Sequence, residues 1–465
     1  MSVAEVLIHK IKYLAEHKSA LLILYLVWFY YKQRLSKYAI PGPLPVPIFG
    51  TLSFYKYLFR KQIHLFTEVN SKKYGPIFSY VGPAGRLVVV KDPNEAKRIV
   101  TDTTLFGKTD FARKRMVGLL DYALFLLPSD DLWKKHRKLL QPAFGPTHLR
   151  HAARVSQSST LEIREKFLLE LEKKKELKVD ARTMFKCITL DVIGQVAFNH
   201  PMRSIEALEE GGAGSWDNLD NMSAKPFIYV SIINSKRSAF PSFMYKLLRC
   251  DITSPEVASA KKQVYDLLNT LSEERLRKIR NNEQGQEGWE MDVLHRLLIS
   301  QEKGKLYDEV KSVDFENDNM IEVINNLKYL DNTLKEAQRL HPVVSQVFRA
   351  AKEDTQVLGY NIKKGTRCGI FIRGLHLDGK LFKNPLEFNP DRWNGPIVPG
   401  SFMPFSDGPH NCIGQKMAII EAKIIMIGLI QKFEFLLDPE FEYEGMQSIT
   451  YSLNKPMIIS VKERK

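Results

Sequence analysis

The chain is poor in cysteine. Its 465 residues hold four, Cys187, Cys250, Cys368 and Cys412. None lies near another, which excludes CxxC redox centres and cysteine-rich zinc sites. Four in so long a chain is no disulfide scaffold, and a reducing, cytosol-facing compartment fits best. Repeats, low-complexity tracts, zinc-finger spacings, aromatic–basic RNA motifs and long basic tails are all missing. The net charge of +15 is therefore no nucleic-acid signature. Lys and Arg are spread along the chain, which favours acidic proteins or anionic membrane surfaces as partners. Flavin and nicotinamide fingerprints are also missing, so any redox enzyme built on this chain borrows its electrons.

Hydrophobic residues make up 44% and charged residues 26%, enough to bury a large core. Near the N-terminus, SALLILYLVWFYY at 19–31 runs 13 residues without a charge. As a helix it spans ~20 Å against ~30 Å of hydrocarbon, so a full crossing needs Lys18 to snorkel or the preceding residues to be drawn in. No small-residue cleavage site follows it. Lys10, Lys12 and Lys18 precede it and Lys32, Arg34 and Lys37 follow, a tie that leaves the positive-inside rule silent. Residues 1–38 therefore read as a membrane anchor or interfacial helix with a basic flank; a buried core helix is the plainer alternative. Residues 39–50 contain four prolines within 41–47, a stiff extended hinge.

Behind the hinge, residues 51–465 read as one large domain, mainly α with a minor β part. Strands at 77–81 and 86–91 flank a Gly/Pro turn and form a hairpin. Periodicity predicts helices over 131–140, 158–175, 181–198, 256–281, 289–301 and 322–340. Short strands and turns fill 346–400. A last helix begins near 413, with Ile419, Ile420, Ile424, Ile427 and Ile430 on a wide apolar face.

Just before that helix, residues 405–415 read FSDGPHNCIGQ. Unpaired N–H groups and the positive end of the helix dipole would stabilise a thiolate at Cys412. Gly408 and Gly414 let the backbone turn tightly and a flat ligand approach. Phe405 can pack beneath the loop, and His410 can donate to an anion. Alone, Cys412 is also compatible with an ordinary buried cysteine before a helix. The whole string, however, resembles the heme-binding signature of the cytochrome P-450 superfamily: Phe, two residues, Gly, three residues, Cys, one residue, Gly. Its wording is most similar to the family-4 clan. The resemblance implies heme b (iron protoporphyrin IX) with the Cys412 thiolate as axial ligand, and cofactor contacts from Phe405, Gly408, His410 and Gly414. His410 departs from the family's usual Arg, which pairs a heme propionate. An imidazole has a partial charge at neutral pH and lacks the bidentate fork, implying weaker retention of heme.

Other motifs follow in the family's order. KEAQR places Glu336 and Arg339 on one helical face, and NPDRW supplies Arg392. Taken alone, the pair is a surface ion pair. By resemblance the three form a structural network that locks the segment leading to the cysteine loop. WKKHRK puts Trp133 and Arg137 one turn apart, and the resemblance places both, with Arg349, on heme propionates. Lys134, Lys135 and Lys138 make the same helix strongly basic, either a solvated face or the docking surface for an acidic, NADPH-dependent flavoprotein reductase. Phe111, Leu119 and Phe125 are candidates for lining a pocket for a small apolar substrate, or for ordinary core packing.

One family element is missing. An Ala/Gly-Gly-x-Asp/Glu-Thr stretch, on a long helix that relays protons to bound dioxygen, belongs between 292–300 and Glu336. The only threonine over 271–336 is Thr333, and the only glycines are Gly285, Gly288 and Gly304. Residues 304–320 carry seven charges in 17 positions, too many for a core-crossing helix. The flanks match the family, so a deletion of several tens of residues near 304–308 is the simplest account; a degenerate relative is the other. The resemblance thus implies a heme-thiolate monooxygenase on the endoplasmic reticulum membrane with its catalytic domain facing the cytoplasm. It would insert one oxygen atom from dioxygen into a fatty acid, hormone or xenobiotic. The alternatives are a catalytically incompetent heme-binding isoform lacking the relay, and a thiolate-heme isomerase or sensor needing neither relay nor reductase.

Overall fold

The computed structural model describes residues 22–30, 39–110, 123–206, 303–437 and 441–464, save a few isolated positions, with scattered residues elsewhere. Its helices are α1 (Leu52–Phe59), α2 (Ile63–Tyr74), α3 (Pro93–Thr101), α4 (Asp131–Leu140), α5 (Pro146–Lys173), α6 (Ala181–Phe198), α7 (Lys303–Val310), α8 (Met320–Asn326), α9 (Lys328–Leu340), α10 (Ile372–His376) and α11 (Gln415–Lys432). Strands β1 (Ile77–Gly82) and β2 (Gly85–Val90) form the expected hairpin. They extend into a five-stranded sheet in the order β1-β2-β6-β5-β3, with β3 at Phe106–Gly107, β5 at Val347–Ala351 and β6 at Arg367–Ile370. The β2–β6 pair is parallel, so a crossover joins them: α3 to α9 lie between Val90 and the return of the chain at β5, with β3 an early visit to the same sheet. A separate three-stranded sheet has the order β4-β8-β7 (Leu177–Asp180, Ile458–Glu463 and Phe433–Leu437). The domain is helix-rich with a minor sheet part.

Helices α4 and α6 occupy the spans expected from periodicity, and two other expectations need correction. Helix α5 starts at Pro146 rather than near 158, with Pro at its first turn. Its early turns bury Ala152, Ala153 and Ser156, small side chains that carry packing without a strong hydrophobic signal. The single helix expected over 322–340 is two, broken at Leu327 (ψ 86°). Both Glu309 carboxylate oxygens accept from the freed N–H groups of Tyr329 and Leu330, at 2.7 Å each. An acidic residue about twenty positions upstream thus caps α9. Of the predicted helices, 289–301 and most of 256–281 lie outside the described residues.

The main core lies between α5, α6, α9 and α11. Helix α11 is buried over most of its surface, so the isoleucine face expected on it is only part of its contact. A Cβ at Gly428 would fall 2.5 Å from Thr160 Cγ2, so glycine there permits the close α5–α11 crossing. Helix α7 presents Leu306 and Val310 inward and leaves Lys305 exposed, a short surface helix rather than a core-crossing one. Among the described residues, no helix is long and apolar enough to cross a membrane. Residues 22–30 are helical and expose Leu22, Ile23, Leu24, Val27 and Trp28.

One ion pair sets the position of the chain beyond α9. Glu336 and Arg339 are fully buried, with side-chain exposure of 0% each, and meet at 2.8 Å. A surface ion pair is therefore ruled out. Arg339 donates twice to Glu336 and to the carbonyls of His376, Pro385 and Glu387. Glu336 also accepts from the Asn389 N–H, Arg392 Nε and Trp393 Nε1. Burial pushes the Glu336 carboxyl up, but the hydrogen bonds and charge of Arg339, with Asn389 and Arg392, hold it below the ordinary range. Glu336→Gln leaves two guanidinium groups facing a neutral amide. It is expected to cost ~3–5 kcal/mol, read as a lowered denaturant midpoint, or as loss of soluble protein when the domain's whole margin is consumed.

Candidate functional site

Two elements build the site, α4 and the 405–415 loop. Helix α4 begins where the Asp130 carboxylate accepts from the Trp133 N–H at 2.9 Å, an N-cap that fixes which face the next turns present. Trp133 is buried on that face, its ring centroid 3.8 Å from that of His410. One turn on, Arg137 donates to the Asn411 carbonyl and to Asn411 Oδ1, both at 2.8 Å. Helix α4 thus grips the residue just before Cys412.

The loop itself is a tight coil. Ser406 (φ 63°) and Gly408 (φ 70°) both sit in the left-handed region. At Gly408 no side chain fits: a Cβ would lie 2.7 Å from the Val100 carbonyl oxygen at the end of α3. The tight turn expected there is thus enforced by close approach to protein backbone. Gly414 is different, since a Cβ there would meet only Phe144 Cε1, at 3.5 Å. The Cys412 N–H donates to the carbonyl of half-buried Phe405 at 2.9 Å.

Cys412 is solvent-accessible. Burial pushes the thiol up, while the Gly414 N–H and Arg137 favour the thiolate, as the expected backbone donors would, without prevailing. The helix proper starts only at Gln415, so the donors of its first turn lie beyond the sulfur.

Behind the loop lies a cluster of cations. His410 is buried, and its Nε2 sits 2.8 Å from Ser129 Oγ. Burial, with the charges of Lys108, Arg349, Arg137 and Lys352, lowers its pKa to about 3. The partial charge expected of this imidazole is therefore not carried at neutral pH. Arg349, 5% exposed on β5, is pushed down to about 10 by burial. Lys108 is pushed down to about 8 by burial and by Arg349 and Arg137. Among the described residues, none of Lys108, Arg137 and Arg349 meets a carboxylate, and Arg349 Nη2 and His410 Nδ1 are buried with no partner. Buried unpaired cations are costly unless a bound anion completes them. This cradle has the chemistry to take up one or more carboxylates.

The structure thus gathers Trp133, Arg137, Arg349, His410 and Cys412. Glu336, Arg339 and Arg392 stand apart as support. Lys108, Ser129 and Asn411 were not singled out from sequence; a lone lysine in LFGKTD and a serine in a loop carry no motif. Lys134, Lys135 and Lys138 are exposed on the outer face of α4, Lys134 paired with Asp131 at 2.8 Å. Of the pocket candidates, Phe111 and Leu119 lie outside the described residues, and Phe125 is exposed. Gly408→Ala forces both a clash and an unfavourable φ. It is expected to disrupt the loop and reduce cofactor content at least several-fold at equal protein yield, measured as the ratio of cofactor to protein absorbance.

A family model described as Cytochrome P450 matches residues 40–312 and 303–456. Cytochrome P450 3A25 of Mus musculus is 24% identical over 498 aligned residues, covering 96% of this chain and 95% of that protein. Cytochrome P450 3A29 of Sus scrofa is 26% identical over 474, covering 90% and 89%. Lithocholate 6-beta-hydroxylase of Mesocricetus auratus is 25% identical over 470, covering 89% of each. These identities reach the superfamily and do not separate its clans. With the family model spanning most of its length, and matches running nearly end to end, the chain belongs to the cytochrome P450 family of heme-thiolate monooxygenases.

Proposed function

We propose that this chain is a membrane-associated heme-thiolate protein whose Cys412 ligates the iron. Its reaction is the insertion of one oxygen atom from dioxygen into an apolar substrate. One observation carries the cofactor assignment: two buried nitrogens without partners, Arg349 Nη2 and His410 Nδ1, sit in a cation cluster beside the loop that presents an accessible cysteine. Heme bears two carboxylates and needs one thiolate, so these residues fit it. Arg137, Arg349, His410 and Lys108 would hold the carboxylates. Trp133 would wall the cradle, and Phe405, Gly408 and Gly414 would shape the loop. Bound heme would supply dioxygen binding and activation. Electrons would come from an NADPH-dependent flavoprotein docking on Lys134, Lys135 and Lys138, exposed on the face of α4 away from His410. The apolar helix at 22–30 and the proline hinge support attachment to the endoplasmic reticulum membrane, the domain facing the cytoplasm. The substrate class is apolar; fatty acids, hormones and xenobiotics all fit it. One relative's name specifies 6-beta-hydroxylation of lithocholate. The dithionite-reduced protein under carbon monoxide is expected to give the red-shifted thiolate Soret band, and Cys412→Ser to abolish it. An unchanged band in that variant refutes the assignment.

A second reading rests on the missing segment. The family model matches in two pieces that overlap at 303–312, and one alignment of 498 positions is longer than the chain's 465 residues. Both fit a chain lacking an internal stretch near 304–308, where the family carries its proton relay. On this reading the chain binds heme yet cannot hydroxylate. Mixed with reductase and NADPH, it is expected to give the thiolate carbon monoxide band without hydroxylated product. Coding sequence in the transcript near codon 306 that restores the relay is expected to restore turnover. Product from the chain as it stands would overturn this second reading.

A further inference from the structure

The proline segment and α1 are clasped to the domain rather than hung from it. The Ser79 N–H of β1 donates to the Pro41 carbonyl at 2.7 Å, and the Thr51 N–H donates to the Val81 carbonyl at 2.8 Å. Thr51 Oγ1 accepts from the Val81 N–H at 3.1 Å. Between these clasps the chain closes on itself, Val46 and Gly50 exchanging hydrogen bonds at 2.7 and 2.8 Å. The free edge of β1, the end strand of its sheet, is thereby covered. A Cβ at Gly42 would collide with the Ser79 carbonyl oxygen, so the segment lies directly against the strand. The side chains it exposes are therefore held in a fixed place on the domain.

Those side chains are apolar, rimmed with cations. Phe49 is 63% exposed. Helix α1 packs Phe54 on Phe66 and Tyr80, with Leu58 in the same cluster. Its other face carries Leu52, Lys56 and Phe59, spaced as one helical stripe. Leu52 and Phe59 are 55% and 67% exposed. Arg60 and Lys61 follow, both exposed. The surrounding sequence has one sign of charge: residues 17–67 hold seven lysines and arginines and no acidic residue. Long basic side chains that lay their stems along apolar groups and keep their charge in water suit the boundary of an anionic bilayer. Such a boundary is also close by. Eight residues, 31–38, join the apolar helix at 22–30 to Ala39, at most ~30 Å of extended chain.

We propose that α1 and Phe49 form a second lipid contact, made by the folded domain itself: Phe49, Leu52 and Phe59 enter the headgroup boundary, and Lys56, Arg60 and Lys61 meet anionic headgroups. This rests on the membrane attachment proposed above and gives the domain a fixed face turned to lipid. Two contacts on one chain restrict how the domain turns about its tether.

The full-length protein on vesicles of phosphatidylcholine with phosphatidylserine tests it, with acetylation of lysines by a water-soluble reagent as the readout. Each rate is divided by that of the same lysine in the unfolded chain. Lys56 and Lys61 are expected to react several-fold more slowly, while Lys178 and Lys380, exposed elsewhere on the domain, are not slowed. The double variant Leu52→Gln, Phe59→Gln is expected to restore labelling of Lys56 and Lys61 while still sedimenting with the vesicles through 22–30. Pure phosphatidylcholine is expected to protect them less. Unslowed Lys56 and Lys61 in the vesicle-bound, unaltered protein overturn the proposal. So does protection that persists in the double variant, or that rises with the density of protein on the vesicle, which assigns the face to a second copy of the chain. Equal protection on both kinds of vesicle overturns the choice of anionic headgroups. Failure of the unaltered protein to sediment with vesicles at all would instead overturn the membrane attachment itself, and the proposal with it.

Discussion

A single carboxylate organises the half of the molecule that leads to the site. Glu336 accepts from two guanidinium groups, an indole and a backbone N–H. Arg339 in turn fixes carbonyls from three separate positions, at His376, Pro385 and Glu387. The strand-poor segment after α10 has few backbone ladders of its own, so its course is set by these charge-assisted bonds. Since that segment delivers the chain to residue 405, the cysteine loop inherits its position from a buried ion pair on α9. A pair of this kind contributes little net stability, because desolvation offsets attraction. What it confers is a unique path for the chain.

At the other end, the site is organised by a deficit. Cations and neutral donors converge behind the cysteine loop, and no carboxylate of the described chain answers them. Burial depresses Lys108, Arg349 and His410, and neighbouring cations add to the effect at Lys108 and His410. Folding stores this electrostatic cost, and an anionic cofactor would relieve it. Binding and stability are then linked, because a ligand taken up only by the folded chain stabilises the fold. The cysteine belongs to the same logic. Burial pushes its thiol up, and a bound metal would favour the thiolate.

Much was legible in the sequence. The spans of α4 and α6, the hairpin and the ExxR and cysteine-loop motifs rest on local signals, namely periodicity, turn residues and fixed spacing. Illegible were features made by residues far apart in the chain. Glu309 breaks an apparently continuous helix by capping α9 across a gap of about twenty residues. The start of α5 was hidden because alanine and serine pack without a hydrophobic signature. Lys108 and Ser129 gained meaning only when the fold set them beside a loop nearly three hundred positions away.

The sequence by itself determined the family, the helix-rich class and the identity of the thiol, because each depends on residue types at short, fixed intervals. It also determined that no relay stretch is encoded between Gly304 and Glu336. Only the tertiary structure decided the depressed pKa of His410, the buried rather than exposed nature of Glu336 and Arg339, and the backbone contact that excludes a side chain at Gly408. Each of these is set by desolvation or by backbone contact between distant segments, and neither quantity exists until the chain has folded.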